Sequence, residues 1–400
     1  MSELPLVLLL LLGLALLLRM DAVFYVVYVL AGTYALARWR TQNSLKSLQV
    51  NRRFTDRVFA GEEVTVRVEI VNRSWWPVPW VRYEETPPLP LSSGEVIRQA
   101  VTVGPKGRAD FAYTLAGRQR GYYLIGPGSV RTGDLFGFAE AEGILDVPAP
   151  LVVYPRVVPL AHVGLSSRSP HGTISSRQQI FADPTRVIGL RPYRSGDPWR
   201  NIDWKSSARV GDLQVKKHAP AISLTTVIFV DLNTAAYTRS WRVVASEWGI
   251  VVAASLASYL VGERQAVGVA SNGLDVPTGE RCWRIPPRPG RAHLMRVLEA
   301  LARAGLAETV PLADWLPLAV AGLPWGTTVI AVTPAGDEPI CAALHRLLRM
   351  GLNPVLVVVE GYAEFGVVRE RARRLGVVAY QVSDEAELRH WQRGRPVSVG

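Results

Sequence analysis

The sequence predicts a three-part chain: a transmembrane helical hairpin, an all-β sandwich, and an α/β doubly wound domain. Three observations carry this. Two nearly uninterrupted apolar runs lie within the first 40 residues. From about residue 45 to 155, short alternating segments recur between glycines and prolines with no helical periodicity. From about residue 220 onward, continuous apolar segments alternate with helix-length ones. The expected boundaries are 1–40 for the hairpin, 41–155 for the sandwich, 156–222 for a connecting segment and 223–400 for the α/β domain. A chain of 400 residues has room for two folded domains and an anchor.

The anchor comes first. Leu4 to Leu18 is almost wholly apolar, Arg19-Met20-Asp21 interrupts, and Ala22 to Ala37 is apolar again. A bilayer core needs about 20 helical residues, and flanking residues extend each run. One long span over both runs would place Arg19 and Asp21 in hydrocarbon, which is costly, so a tight hairpin is expected. No basic segment precedes the first run, which argues against a cleaved signal peptide. Arg38, Arg40, Lys46, Arg52 and Arg53 follow the second run. That positive charge predicts a cytoplasmic C-terminal side. The expected location is therefore the cell membrane, with two helices crossing it and the bulk of the chain in the cytoplasm.

The next region reads as strands. Val64 to Val71 alternates apolar and polar, as a half-buried strand does. Asn72-Arg73-Ser74 turns; it matches a glycosylation sequon, which is empty on a cytoplasmic face. Further strands are expected at Trp80 to Glu84, Val96 to Val103, Ala109 to Leu115, Tyr122 to Ile125 and Leu151 to Tyr154. Many short strands with Gly and Pro turns and no helix point to an immunoglobulin-like sandwich.

The densest stretch follows at Arg191 to Arg209, RPYRSGDPWRNIDWKSSAR. It sets Arg191, Arg200 and Arg209 at nine-residue spacing with Tyr193, Asp197, Asp203, Trp199 and Trp204. Aromatics and charges this dense mark ordered, paired contacts. Asp197 is expected to cap a helix beginning at Pro198 and ending near Arg209, with Gly211 just beyond. In that helix Arg200 would meet Asp203 and Trp204 one turn on. Two readings stay open. Either the charges lock the segment against its surroundings, or the segment is a docking face. An exposed Trp199 favours docking, because tryptophan and arginine dominate interface hot spots.

Arg191, Tyr193, Gly196, Asp197, Arg200, Ile202, Asp203, Trp204, Ala208 and Arg209 together resemble the signature of the bacterial "domain of unknown function fifty-eight" family. Arg120-Gly121-Tyr122 with Gly126-Pro127, and Asp134 with Phe136-Gly137, are similar to that family too. The resemblance implies a membrane-anchored protein with a β-sandwich before the signature and a von Willebrand A-like domain after it. It also implies a MoxR-type AAA+ ATPase as partner and a transglutaminase-like membrane protein as a second one. Where the family often carries a glutamate, this chain reads Lys216-Lys217-His218.

The last region alternates strands and helices. Thr226 to Val230 is an apolar run ending at Asp231, which is how a buried parallel strand reads. A helix is expected over Trp241 to Val261, a strand over Ala266 to Ser271, and a helix over Arg291 to Ala304. Then come a strand at Thr327 to Val332, a helix at Glu338 to Met350 and a strand at Pro354 to Val359. A helix at Phe365 to Leu375 and a strand at Val377 to Gln381 end the domain. Ligands of such folds bind at the carboxyl ends of the strands. The von Willebrand A resemblance implies a magnesium site there, built from Asp-x-Ser-x-Ser, a later threonine and a later aspartate. Here Asp231 is in place, Asn233 offers an amide oxygen, and Ala235 offers nothing. Pro334 stands where the later acid would be, and the expected loop Pro286 to Gly290 has no threonine. Asp231 is therefore read first as a strand-end cap and second, with Asn233, as a degenerate metal site; no cofactor is expected.

The formal net charge of +11 is spread through the sandwich, the signature and Arg369 to Arg374. A basic face beside anionic lipid accounts for it. No basic run interleaved with aromatics occurs outside the signature, so nucleic acid is not the expected partner. Cys282 and Cys341 form no CxxC pair, the six histidines are dispersed, and no Walker A, HExxH or GxSxG motif is present. The expected function is a non-enzymatic adaptor at the membrane, working with an ATPase on envelope-associated complexes. The alternatives are a metal-dependent hydrolase using Asp197, Asp203 and Asp231, and then nucleic-acid binding.

Overall fold

The computed structural model describes residues 4–18, 21–92, 94–135, 137–160, 182–194, 199–220, 225–360 and 365–389. Two compact units divide it. The first holds Met1–Arg156 with Asp275–Glu280 and Leu298–Gly305; the second holds Val157–Leu274, Arg281–Val297 and Leu306–Gly400.

The first unit opens with α1 (Leu4–Leu18) and α2 (Asp21–Ser47), which pack on each other. On α2 the less exposed residues Val23, Phe24, Val27, Leu30, Ala31 and Tyr34 recur at helical spacing on one face. The other faces expose Leu9, Leu10, Leu17, Tyr25, Val26, Val29 and Leu36. By length and hydropathy α2 can cross a membrane. Its partner α1 has 15 residues, about 22 Å of helix, short of the ~30 Å hydrocarbon core. The second helix does not stop near Ala37. It runs on to Ser47 because Thr41 and Ser44 are buried, and Leu45 half-buried, on one face against the sandwich.

Strands β1 (Leu48–Arg53), β2 (Arg57–Phe59), β3 (Glu63–Asn72), β4 (Val78–Glu85) and β5 (Ile97–Val103) follow. Then come β6 (Arg108–Ala116), β7 (Gly121–Ile125), β8 (Ser129–Gly133), β9 (Glu140–Ile144) and β10 (Ala149–Tyr154). They form sheets in the orders β1-β3-β6, β5-β4-β8-β9 and β2-β10-β7. Along β3 the inward residues Val64, Val66, Val68 and Ile70 are buried, as the alternation requires. They share one core with Val78, Val81 and Tyr83 of β4, Leu115, Val130 and Leu151. Four strands lay outside the expected set: β1, β2, β8 and β9. Each is short or polar, and β1 reads Leu-Gln-Val-Asn-Arg-Arg.

The second unit begins with a two-stranded antiparallel ribbon, β11 (Ala182–Pro192) and β12 (Gln214–Pro220), with α3 (Trp204–Val210) between them. The strands β13 (Thr225–Val230), β14 (Ala266–Asp275), β15 (Arg281–Arg288), β16 (Ala304–Gly305), β17 (Thr328–Thr333), β18 (Asn353–Val358) and β19 (Val378–Gln381) form a seven-stranded sheet. Its main path is β15-β14-β13-β17-β18-β19, parallel except at β15. The helices are α4 (Arg242–Gly262), α5 (Arg291–Arg303), α6 (Leu312–Ala319), α7 (Glu338–Arg349), α8 (Phe365–Arg374) and α9 (Glu385–Arg389). This is the doubly wound α/β domain the alternation predicted. Although α4 is also apolar and long enough for a span, it is mostly buried as a core helix.

Two features of this unit depart from the expectation. The stretch expected as the loop Pro286 to Gly290 contributes Pro286, Pro287 and Arg288 to β15. An edge strand tolerates prolines because one side of its ladder needs no N–H. The helix α6 escaped notice because Pro317 interrupts its pattern.

Candidate functional site

Two places collect the residues singled out by sequence. The first is the tip of the β11–β12 ribbon. Arg191 pairs with Val215, and Pro192 with Gln214, so the signature is the connection between two hydrogen-bonded strands. Tyr193 N donates to Leu213 O at 2.8 Å and Asp203 N to Gln214 O at 2.9 Å. Ile202 is bridged to Val215 and both are buried, which pins the tip to the ribbon.

The helix differs from the one expected. A 3-10 turn occupies Trp199–Asn201, Ile202 and Asp203 are extended, and only then does α3 begin. Its N-cap is Asp203, whose carboxylate accepts from Ser206 N at 3.0 Å. That bond holds the Asp203 carboxyl below its ordinary range, with Lys216 at 4.0 Å helping. Gly211 closes α3 at φ 82°, where a side chain is strained. Arg200 lies in the 3-10 turn and Trp204 opens α3, so the single helix expected to carry both is interrupted at Ile202. Ser195, Gly196, Asp197 and Pro198 lie outside the described residues, and with them the expected Asp197 cap.

The aromatics decide what this tip presents. Tyr193 and Trp199 stack tilted, with ring centres 5.9 Å apart. Trp199 is 66% exposed and Trp204 63%. Arg209, Val210 and Lys205 are exposed beside them. Both tryptophans stand out on a backbone held by a cap, a bridge and two ladder ends.

The second place is the carboxyl end of the sheet. Val230 pairs with Ser271 on β14 and with Val332 on β17. In-register parallel pairing therefore brings the next residues, Asp231, Asn272 and Thr333, side by side at the point where strand order reverses. Asp231 is buried. It accepts from Asn272 Nδ2 at 2.9 Å, Thr333 Oγ1 at 3.2 Å and Asn233 N at 3.2 Å. Burial pushes its carboxyl above the ordinary value, the hydrogen bonds pull it back, and Asp337 on the α7 N-cap adds a small push upward.

Asn233 turns its amide oxygen to Ala235 N at 3.2 Å and Thr309 N at 3.5 Å. Thr309 lies ahead of α6. Its hydroxyl is buried and finds no hydrogen-bond partner among the described residues. For Asn272 and Thr333 the sequence signal is a polar residue at the end of each apolar run, and only the pairing register makes them neighbours; Thr309 lies in the loop ahead of α6, where no such signal marks it.

The donor set fits magnesium poorly. Asn272 turns an N–H to Asp231 and spends its oxygen on Leu232 N. Among the described residues no three His, Cys, Asp or Glu side chains gather to hold a metal. Asp203 and Asp231 share no hydrogen-bond or ion-pair partner among the described residues, and Asp197, the third acid of the hydrolase alternative, lies outside them.

The second unit is thus a doubly wound α/β domain carrying a two-stranded ribbon with an aromatic, basic tip. The chain belongs to the family described as "Protein of unknown function DUF58", which matches residues 189–394, from the ribbon to the end of the sheet domain. The uncharacterized protein YeaD of Bacillus subtilis (strain 168) is 24% identical over 277 residues, 68% of this chain and 66% of that protein. The chain thus spans slightly under two thirds of that relative's length. Among solved structures, a von Willebrand factor type A from Catenulispora acidiphila is 16% identical with a TM-score of 0.27, covering 41% of this chain and 39% of that one. The SpRpn10 VWA domain is 9% identical with a TM-score of 0.30, covering 43% of this chain and 98% of that one. A CARDB domain from Pyrococcus furiosus is 19% identical with a TM-score of 0.20, covering 26% of this chain and 86% of that one.

Proposed function

We propose that this protein is a membrane-anchored adaptor whose β11–β12 ribbon docks a protein partner on the cytoplasmic side. The observation that carries the reading is the exposure of Trp199 and Trp204 on a backbone already held by Asp203, Ile202 and Gly211. A preorganised aromatic and basic tip loses little entropy on binding. The apolar helix α2 supports the anchor. The partner expected from the family resemblance is a MoxR-type AAA+ ATPase, with a transglutaminase-like membrane protein as a second one. On this reading the ATPase supplies the energy and this chain supplies the address.

The test is capture from native membranes in mild detergent, wild type against Trp199→Ala/Trp204→Ala, with bound proteins identified by mass spectrometry. Both side chains are exposed, so the variant keeps its melting temperature within a few degrees. An AAA+ ATPase held by wild type and lost by the variant is the expected result. The same ATPase held by both would remove the ribbon from the interface, and none held by either would sink the adaptor reading.

A further inference from the structure

A second aromatic and basic patch lies in the first unit, away from the signature. The turn between β3 and β4 carries Trp75, 75% exposed, and Trp76, 62% exposed. Lys106 Nζ, from the β5–β6 turn, sits 3.2 Å over the Trp75 ring, and the Arg40 guanidinium of α2 lies 5.0 Å over Trp76. Trp39, next to Arg40, is 62% exposed.

The turn is locked to the end of the apolar helix. Arg73 N donates to Ser47 O at 2.9 Å, and Ser47 Oγ to Asn72 Oδ1 at 3.2 Å. Asn72 is buried and spends its amide N–H groups on Trp76 O at 2.8 Å and Gly104 O at 2.9 Å. Lys106 N donates to Ser74 O at 2.9 Å, which ties the two turns together. The sequon at Asn72 is thus a structural hinge pin with no free amide.

The direction of the turn is what matters. It starts at the level of Ser47 and reaches Arg40, seven residues back along α2, about 10 Å toward the apolar segment. Arg40 is three residues beyond Ala37, about 5 Å past the end of the apolar run. That is the depth of the headgroup layer on a bilayer whose core α2 spans. Tryptophan rings prefer this layer, and basic side chains there meet anionic headgroups. Residues 38–47, 73–77 and 104–107 contain Arg38, Arg40, Lys46, Arg73 and Lys106 and no carboxylate.

We propose that the Trp75-Trp76 turn, with Trp39, Arg40, Arg73 and Lys106, is a lipid-binding surface that seats the sandwich on an anionic membrane. The inference rests on the reading of α2 as a membrane span. It makes the first unit a platform of fixed height and tilt rather than a domain swinging below its anchor.

The test uses the full chain in vesicles of phosphatidylcholine and phosphatidylglycerol. Alkaline carbonate extraction reads the anchor. Tryptophan quenching by phosphatidylcholine brominated just below its headgroups reads the surface. The variants are Trp75→Phe/Trp76→Phe, which removes the emitters, and Arg73→Glu/Lys106→Glu, which reverses the charge. Wild type should lose emission to the bromines that Trp75→Phe/Trp76→Phe does not have to lose. Arg73→Glu/Lys106→Glu should lower the docked-to-undocked ratio ~5-fold or more for each reversed residue. A chain that resists extraction but is quenched to the same extent with and without Trp75 and Trp76 overturns the proposal, and the patch is then a protein contact. A chain released by carbonate overturns the membrane span and the proposal with it.

Discussion

Arg52 shows how one residue changes meaning between sequence and structure. In the sequence it is one of five basic residues after an apolar run. In the fold its side chain is almost fully buried, bonded to Asp146, to Ile125 O at 2.6 Å and to Tyr83 OH at 3.1 Å, with Glu85 at 3.7 Å. Tyr83 and Tyr113 each donate to Glu85 Oε2 at 2.6 Å. Burial above all, and then the bond to Glu85, push both phenols up. Arg52→Leu would leave two buried carboxylates without their cation, at a cost of about 3–5 kcal/mol. Tyr113→Phe removes one donor to a charged group and should cost about 1.5–3 kcal/mol. Urea denaturation of the detergent-solubilised chain checks both; an Arg52 variant as stable as wild type would show the network to be idle.

Asp231 carries a pH signature at the same scale. Its carboxyl is raised above its ordinary 3.8, by burial first. A raised acid binds its proton longer in the fold than in the unfolded chain. The stability this contributes is full below the unfolded value and lost as pH rises through the folded one. Asp231→Asn cannot lose it. The melting temperature of Asp231→Asn minus that of wild type should therefore be more positive near neutral pH than at about pH 4. A difference that stays level across that range would show that the buried carboxyl is not strained.

Among elements, the edge of the sheet is packed backbone against backbone. The strand β15 lies so close to β14 that a Cβ built on Gly268 would stand 2.8 Å from both Ile285 O and Pro287 N. Gly268→Ala must push the edge strand outward, at about 1–3 kcal/mol. Faster hydrogen exchange at Arg281 to Ile285, with the β17–β18 pair unaffected, is the expected readout. The ribbon teaches a related lesson. The start of α3 at Trp204 combines both scales: Asp203 caps it locally, while bridging Ile202 to Val215 buries two apolar side chains and holds Ile202 out of the helix.

For the whole molecule, the anchor and the sandwich are separable in a defined way. A chain lacking residues 1–37 keeps Thr41, Ser44 and Leu45, the part of α2 that packs on the sandwich. It should be released by alkaline carbonate while melting within a few degrees of the full chain in detergent. Retention in the pellet would place the membrane attachment elsewhere.

What the sequence determined alone was whatever local pattern encodes. The apolar run of α2, the alternation of β3 and the continuous strands β13, β17 and β18 are written in periodicity, because burial on one face or on both leaves a fixed imprint. The signature residues were legible as a group by their density, though not their roles. Tertiary structure alone decided which polar residues meet. Strand register set Asp231 beside Asn272 and Thr333, sheet packing enclosed Arg52 with Asp146 and Glu85, and the β3–β4 turn brought Trp76 back to Arg40. These pairs are separated by 33 to 102 positions, as with Arg52–Glu85 and Asp231–Thr333. Such contacts are selected by the free energy of closing the whole core, which no window of neighbouring residues contains.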